Sequence, residues 1–208
     1  MKAFIIVAAI TAGLATAPCL AQTQIADGAL KPYLQVKTVK GEEDVVRVYF
    51  SPSCQYSRSY LPFFKNLEAT LPARKRFEFT PLVNKLDGLE YALGFYAVKT
   101  YYPRYLSNFI EASLLGVQDH SITTRSWAGL RRIGAAARLP EDLPKLVDKH
   151  KDELQQMVSR ELVVQKSLEI TNTPSVAVAG TYIVTPEFTS GDMALFSQLV
   201  NGVISMAP

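Results

Sequence analysis

The sequence predicts an α/β fold: a mixed sheet with helices on both faces, interrupted by a long helical insertion. Three observations predict it. A strand–helix–strand pattern runs from Val45 to Val83, helical spacing without a convincing strand occupies residues 87 to 168, and a hairpin with a closing helix follows from Ser175. The composition suits such a fold. The 208 residues are 48% hydrophobic and 20% charged, which allows a sizeable core and excludes a disordered or collagen-like chain. With 22 basic and 19 acidic residues, the net charge of +3 gives no strong case for nucleic-acid binding. The cysteines are Cys19 and Cys54 and the histidines His120 and His150, too few for a disulfide scaffold or a Cys/His zinc site. Neither a metal nor a cofactor is expected.

At the N-terminus, Met1-Lys2 is a short basic start and Ala3 to Ala17 an uncharged, mostly apolar run. Cys19 and Ala21 supply small residues at the −3 and −1 positions of a cut before Gln22. This pattern predicts a secretory signal peptide over residues 1–21. The apolar run falls short of the roughly 20 residues that span a bilayer. Cleavage there leaves Cys54 as the only cysteine, with no intramolecular partner. Retention of Cys19 would restore a second thiol.

Residues 22–32 are polar and read as a tail, and Tyr33 to Val36 as a short first strand. Val45 to Phe50, VVRVYF, is rich in β-branched and aromatic residues and reads as a buried strand that Ser51-Pro52-Ser53 breaks. From Cys54 a helix is predicted, with Tyr60, Leu61, Phe64, Leu67 and Leu71 near helical spacing and Pro72 ending it. Arg76 to Val83 alternates as a second main strand, giving a βαβ unit and a parallel pair. In the helical block, Pro103, Gly116, Gly134 and Pro140 punctuate, and Leu143 to Leu162 reads as one amphipathic helix. Thr171-Asn172-Thr173-Pro174 breaks it. Ser175–Ala179 and Thr181–Val184 then read as a hairpin turning at Gly180, and Gly191-Asp192 precedes a last helix through Phe196, Leu199, Val200 and Val203. Residues 22–86 and 169–208 are thus expected to form one domain, with 87–168 inserted in it.

Cys54-Gln55-Tyr56-Ser57 sits where a strand hands over to a helix. There the sulfur is expected to face unpaired backbone N–H groups and the positive end of the helix dipole, both favouring the nucleophilic thiolate. Ser57 stands where a Cys-x-x-Cys pair would place its second thiol, and its hydroxyl could hydrogen-bond Cys54. The alternative is a helix-start cysteine with a purely local role.

The order βαβ, helical block, ββα is the thioredoxin arrangement with a helical domain inserted. Together with VVRVYFSPSCQYS, TNTPSVAVAGTYIV and the signal peptide, it resembles the DsbA-like branch of the thioredoxin superfamily, exported thiol–disulfide oxidoreductases. The resemblance covers about Val45 to Ile204. It implies that Cys54 is the attacking thiol and that Pro174 is a cis proline opposite it, with Thr173 before it. Thr173, Pro174, Gln55 and Tyr56 would then contact an extended client peptide. Three departures stand out. Ser57 cannot act as a resolving thiol. Val48, flanked by Arg47, stands where the family commonly buries an acid, and Gln55-Tyr56 lacks the histidine of strong oxidants. Thr173 looks more like the isomerase and reductase members. Residues 22–44 are too few for the N-terminal domain through which those isomerases dimerise, so a monomer is expected.

The resulting expectation is a periplasmic monothiol protein that exchanges or isomerises disulfides of exported, cysteine-containing clients through a mixed disulfide at Cys54. A small thiol or a membrane redox partner would serve it. The alternative is a non-catalytic thioredoxin-fold chaperone or secretion accessory that holds extended peptides. Other residues are expected to be structural: His150 packed along its helix, Arg131, Arg132, Lys149 and Lys151 solvated, and Trp127 and the aromatic run Tyr96 to Tyr105 in packing.

Overall fold

The computed structural model describes residues 31–207. The signal-peptide reading, its cut before Gln22, and Cys19 lie outside the described residues. The strands are β1 Leu34–Gln35, β2 Val45–Phe50, β3 Arg76–Pro81, β4 Ser175–Val178 and β5 Tyr182–Val184. They form one sheet in the order β1-β5-β4-β2-β3. β2 and β3 pair in parallel, Val45 opposite Arg76 and Phe50 opposite Pro81. The other pairs, β2 with β4, β4 with β5 and β5 with β1, are antiparallel. The helices are α1 Gln55–Ser59, α2 Leu61–Thr70, α3 Gly88–Tyr101, α4 Leu106–His120, α5 Trp127–Ala136, α6 Leu143–Lys149, α7 Lys151–Ser167 and α8 Met193–Met206. The mixed sheet and the helical run α3–α7 between its halves are as the sequence predicts.

Two predicted helices are each divided. The helix expected after Cys54 breaks at Tyr60 because Pro62, in the first turn of α2, has no N–H to return to the preceding turn. The helix expected over Leu143 to Leu162 breaks at His150, whose backbone (φ −121, ψ 23) leaves helical geometry. The His150 ring stacks on Tyr101 at 3.9 Å, which fits the packed histidine expected there. In the β4–β5 hairpin, Ala179 and Gly180 take φ +53 and +61, and Thr181 N–H closes the turn on the Val178 carbonyl. A Cβ at position 180 would lie 2.8 Å from the Val39 carbonyl and the Glu42 Cβ, so only glycine fits.

All of β2 is buried, and its two faces do different work. Val46, Val48 and Phe50 point into the main apolar core with Phe64, Phe95, Phe109 and Phe196. Phe50 meets Phe79, Tyr91 and Phe95 with ring centroids 5.7–6.3 Å apart, joining β3 and α3 to β2. Arg47 and Tyr49, on the opposite face, meet α7. Arg47 donates to Glu42 (2.8 and 3.0 Å), Glu161 (3.0 Å) and Thr80 (2.8 Å), and the Tyr49 hydroxyl donates to Glu161 at 2.7 Å. Burial works against the Arg47 charge, but the Glu42 hydrogen bonds and the carboxylate charges hold it above its ordinary pKa. Burial likewise raises Glu161, with Arg47 opposing, and raises the Tyr49 phenol. The cation therefore rivets the insertion's longest helix to the sheet.

Among the described residues, no helix is long and apolar enough to cross a membrane. Replacing Arg47 by Leu is expected to cost about 3–5 kcal/mol, because Glu42 and Glu161 would stay buried without their cation. Urea unfolding of the two proteins measures it.

Candidate active site

β2 ends at Phe50, and the chain turns through Ser51-Pro52-Ser53 so that Cys54 becomes the N-cap of α1 (φ −93, ψ 115). Cys54 N–H bonds the Ser51 carbonyl at 3.0 Å. The side chain is half-buried and is the free cysteine of the described residues. Cys54 sits at the helix start as expected from the sequence, but no N–H of α1 makes a capping hydrogen bond to its side chain. Instead the thiol donates to the Thr173 carbonyl at 3.1 Å. The sulfur thus reaches the loop before β4 from the N-cap of a helix only five residues long.

The Thr173–Pro174 peptide is cis, and the structure brings these two residues opposite Cys54. Pro174 is buried and Thr173 half-exposed. Gln55 and Tyr56 stand in solvent beside the thiol, Tyr56 with 52% of its surface exposed. Ser57 is placed differently from its sequence reading. It is 1% exposed, and its Oγ accepts from Ser51 N–H at 3.1 Å rather than bonding the sulfur. Its hydroxyl closes the turn that carries Cys54.

The residues that hold this turn from outside were not found in the sequence. Asp87, the residue before α3, is 1% exposed and aims its carboxylate at the turn. It accepts from Ser51 Oγ at 2.5 Å, Ser53 Oγ at 2.5 Å and Ser53 N–H at 3.2 Å. Asn84 presets it, its side-chain oxygen accepting from Leu86 N–H and Asp87 N–H at 2.8 and 2.9 Å. From α4, Gln118 Nε2 donates to the Pro52 carbonyl (2.9 Å) and the Cys54 carbonyl (3.1 Å). Asp119 pairs with Arg58 of α1 at 2.6 Å. The Asn84-x-x-Asp87-Gly88 spacing could have marked a helix start. No local signal says where the Asp87 carboxylate or the Gln118 amide points.

The acid absent from position 48 has no substitute on that strand. Val48 is fully buried in the apolar core, and Arg47 faces away from it. Trp127, expected in packing, is 38% exposed at the start of α5. Of the run Tyr96 to Tyr105, Tyr96 is buried and Tyr101, Tyr102 and Tyr105 pack against the core's edge, as expected. The Tyr101 phenol, hydrogen-bonded to Glu153, is pushed up to about 12.

No protein-family model matches the chain, and no curated protein matches it. Solved structures do. The disulfide oxidoreductase DsbA from Proteus mirabilis superposes with a TM-score of 0.67 at 19% identity, over 85% of this chain and 96% of its own. DsbA of Pseudomonas aeruginosa gives 0.70 at 14% identity, over 85% and 94%. The chain has a DsbA-like thioredoxin fold. DsbL of Salmonella enterica serovar Typhimurium is also similar, with a TM-score of 0.59 at 17% identity, over 83% and 94%. In this DsbA-like fold the start of the insertion, just before α3, supplies Asp87 and α4 supplies Gln118, so the insertion is what braces the Cys54 turn.

Replacing Asp87 by Ala strips the Ser51 and Ser53 donors of their acceptor. It is expected to cost about 3 kcal/mol and Gln118→Ala about 1 kcal/mol. Urea unfolding measures both, and faster amide exchange at Ser53 and Cys54 should accompany the first.

Proposed function

We propose that this protein is an exported monothiol disulfide-interchange protein acting through a mixed disulfide at Cys54. One observation carries the reading: the half-buried Cys54 thiol stands at the strand-to-helix turn and meets the Thr173 carbonyl across a braced site. The DsbA-like fold supports it, since structural neighbours carry the name disulfide oxidoreductase. The basic start and apolar run before Ala21 support export, with the periplasm as the compartment.

The chemistry needs one cysteine. The Cys54 sulfur attacks a client disulfide, forming Cys54–S–S–client and releasing the client's other sulfur as a thiol. A second client thiol, or a small external thiol, then attacks the client sulfur of the adduct and returns Cys54 as the leaving group. One S–S bond is broken and one made in each step, so no net electrons are exchanged. Resolution by a client thiol isomerises a cysteine-containing exported protein, whereas resolution by a small thiol leaves that protein as a mixed disulfide with the small thiol. Gln55 and Tyr56 flank the incoming chain, Ser57 holds the turn, and Thr173 and Pro174 line the facing side. The protein works as a monomer.

A second reading is a chaperone that holds extended peptide and uses Cys54 little. What favours it is Ser57 in place of a resolving thiol, together with a neighbour: a Cys-to-Ser variant of Proteus mirabilis DsbA is known in complex with a non-covalently bound peptide, PWATCDS.

Refolding of a scrambled disulfide substrate separates the two. Wild type is expected to accelerate reshuffling and give adducts on non-reducing gels, while Cys54→Ala loses both. If Cys54→Ala retains full activity, the interchange reading fails. Ser57→Cys restores an internal resolving thiol and is expected to lower the trapped adduct by about tenfold or more, read by mass spectrometry of acid-quenched samples.

A further inference from the structure

Thr173 lies two residues before the first sheet pairing of its strand, which starts with Ser175 opposite Tyr49. Its backbone therefore belongs to no ladder. The neighbouring Asn172 carbonyl is already taken by the Ser175 hydroxyl at 2.7 Å. The Thr173 carbonyl has one hydrogen bond among the described residues, from the Cys54 thiol at 3.1 Å. The nucleophile itself thus covers the carbonyl that an extended chain lying beside residues 173–174 would use. A carbonyl oxygen has two lone pairs. The sulfur engages one and stands over the oxygen, so its effect on an incoming N–H is partial rather than absolute.

We propose that Cys54 gates peptide binding through its own redox state. As a thiol it occupies the Thr173 carbonyl. As a disulfide it has no S–H and leaves that carbonyl free to accept an N–H from the client backbone. The proposal rests on the mixed-disulfide reading and adds a coupling to it. When Cys54 joins a client sulfur, the thiol proton departs with the displaced client thiol, and the freed Thr173 oxygen takes a backbone hydrogen bond from the captured chain. When a second thiol resolves the adduct, Cys54 regains its proton, reclaims the carbonyl and loosens the hold on the product. Covalent capture and backbone pairing then strengthen together and lapse together. This suits a protein that must grip a client only while bonded to it.

The test measures anisotropy of a fluorescein-labelled PWATSDS peptide, which cannot form a disulfide. Its partners are reduced wild type, wild type capped as the methylthio disulfide at Cys54, Cys54→Ala and Cys54→Ser. The capped protein and Cys54→Ala are expected to bind about three- to tenfold more tightly than reduced wild type, the worth of one neutral hydrogen bond. Cys54→Ser keeps a donor at that position and should bind like reduced wild type. Equal affinities across the set, a Cys54→Ser value matching Cys54→Ala, or no binding by the two open forms would overturn the gate. A separate incubation of wild type with glutathionylated PWATCDS, read by mass spectrometry, reports adduct formation at Cys54. An adduct with equal affinities sinks the gate alone, and no adduct sinks the interchange reading.

Discussion

A carboxylate buried without a cation must be met by hydrogen-bond donors, and Asp87 meets that need with the turn that presents the nucleophile. Three of its donors are the hydroxyls of Ser51 and Ser53 and the backbone N–H of Ser53, all within four residues of Cys54, and Asn84 Nδ2 adds a longer one at 3.4 Å. Moving the turn would strip the carboxylate of its three shortest donors, so the position of Cys54 is tied to the burial of Asp87. Gln118 adds the opposite brace by donating to the two carbonyls on either side of Ser53. The insertion is therefore more than a lid of extra mass, because it supplies both braces.

The same insertion is joined to the sheet on two chemically distinct fronts. On one face of β2 the contact is apolar and aromatic, with Phe50 in the midst of Phe79, Tyr91 and Phe95. On the other it is ionic, with Arg47 shared between Glu42 and Glu161. The apolar front gives most of the burial. The ionic front gives direction, since a planar guanidinium satisfies its partners in few geometries. Val48 lies between these two residues on the apolar side. An acid there would have to be buried in the core, and the buried carboxylate that serves the Cys54 turn is instead Asp87, just before α3, where serines reach it.

The site that results is economical in thiols and well supplied with backbone. Cys54 and Thr173 are far apart in sequence but in direct hydrogen bond. Ser57, one atom away from being a resolving cysteine, has been given to the turn through its bond with Ser51 N–H. Local architecture and residue identity are thus linked: the serine three residues after Cys54 closes the turn that carries the cysteine.

The strands and the helical character of the segments between them were legible in the sequence because they follow from short-range patterns. VVRVYF is a buried strand wherever it is placed, Gly180 marks a hairpin turn, and Cys54 after Ser-Pro-Ser begins a helix. The breaks at Tyr60 and His150 were missed because apolar spacing alone continued smoothly through both. The direction of side chains was beyond reach. That the sulfur bonds Thr173 rather than its own helix, that Ser57 faces Ser51, and that Asp87 and Gln118 clamp the turn all depend on elements distant in the chain meeting at one end of the sheet. Sequence alone determined the fold class, the cysteine at the strand-to-helix junction and the serine three residues after it, since each is a matter of residue identity and local period. Tertiary structure decided what the thiol touches and what holds it, because a hydrogen bond is chosen among all the donors and acceptors that folding brings within about 3 Å.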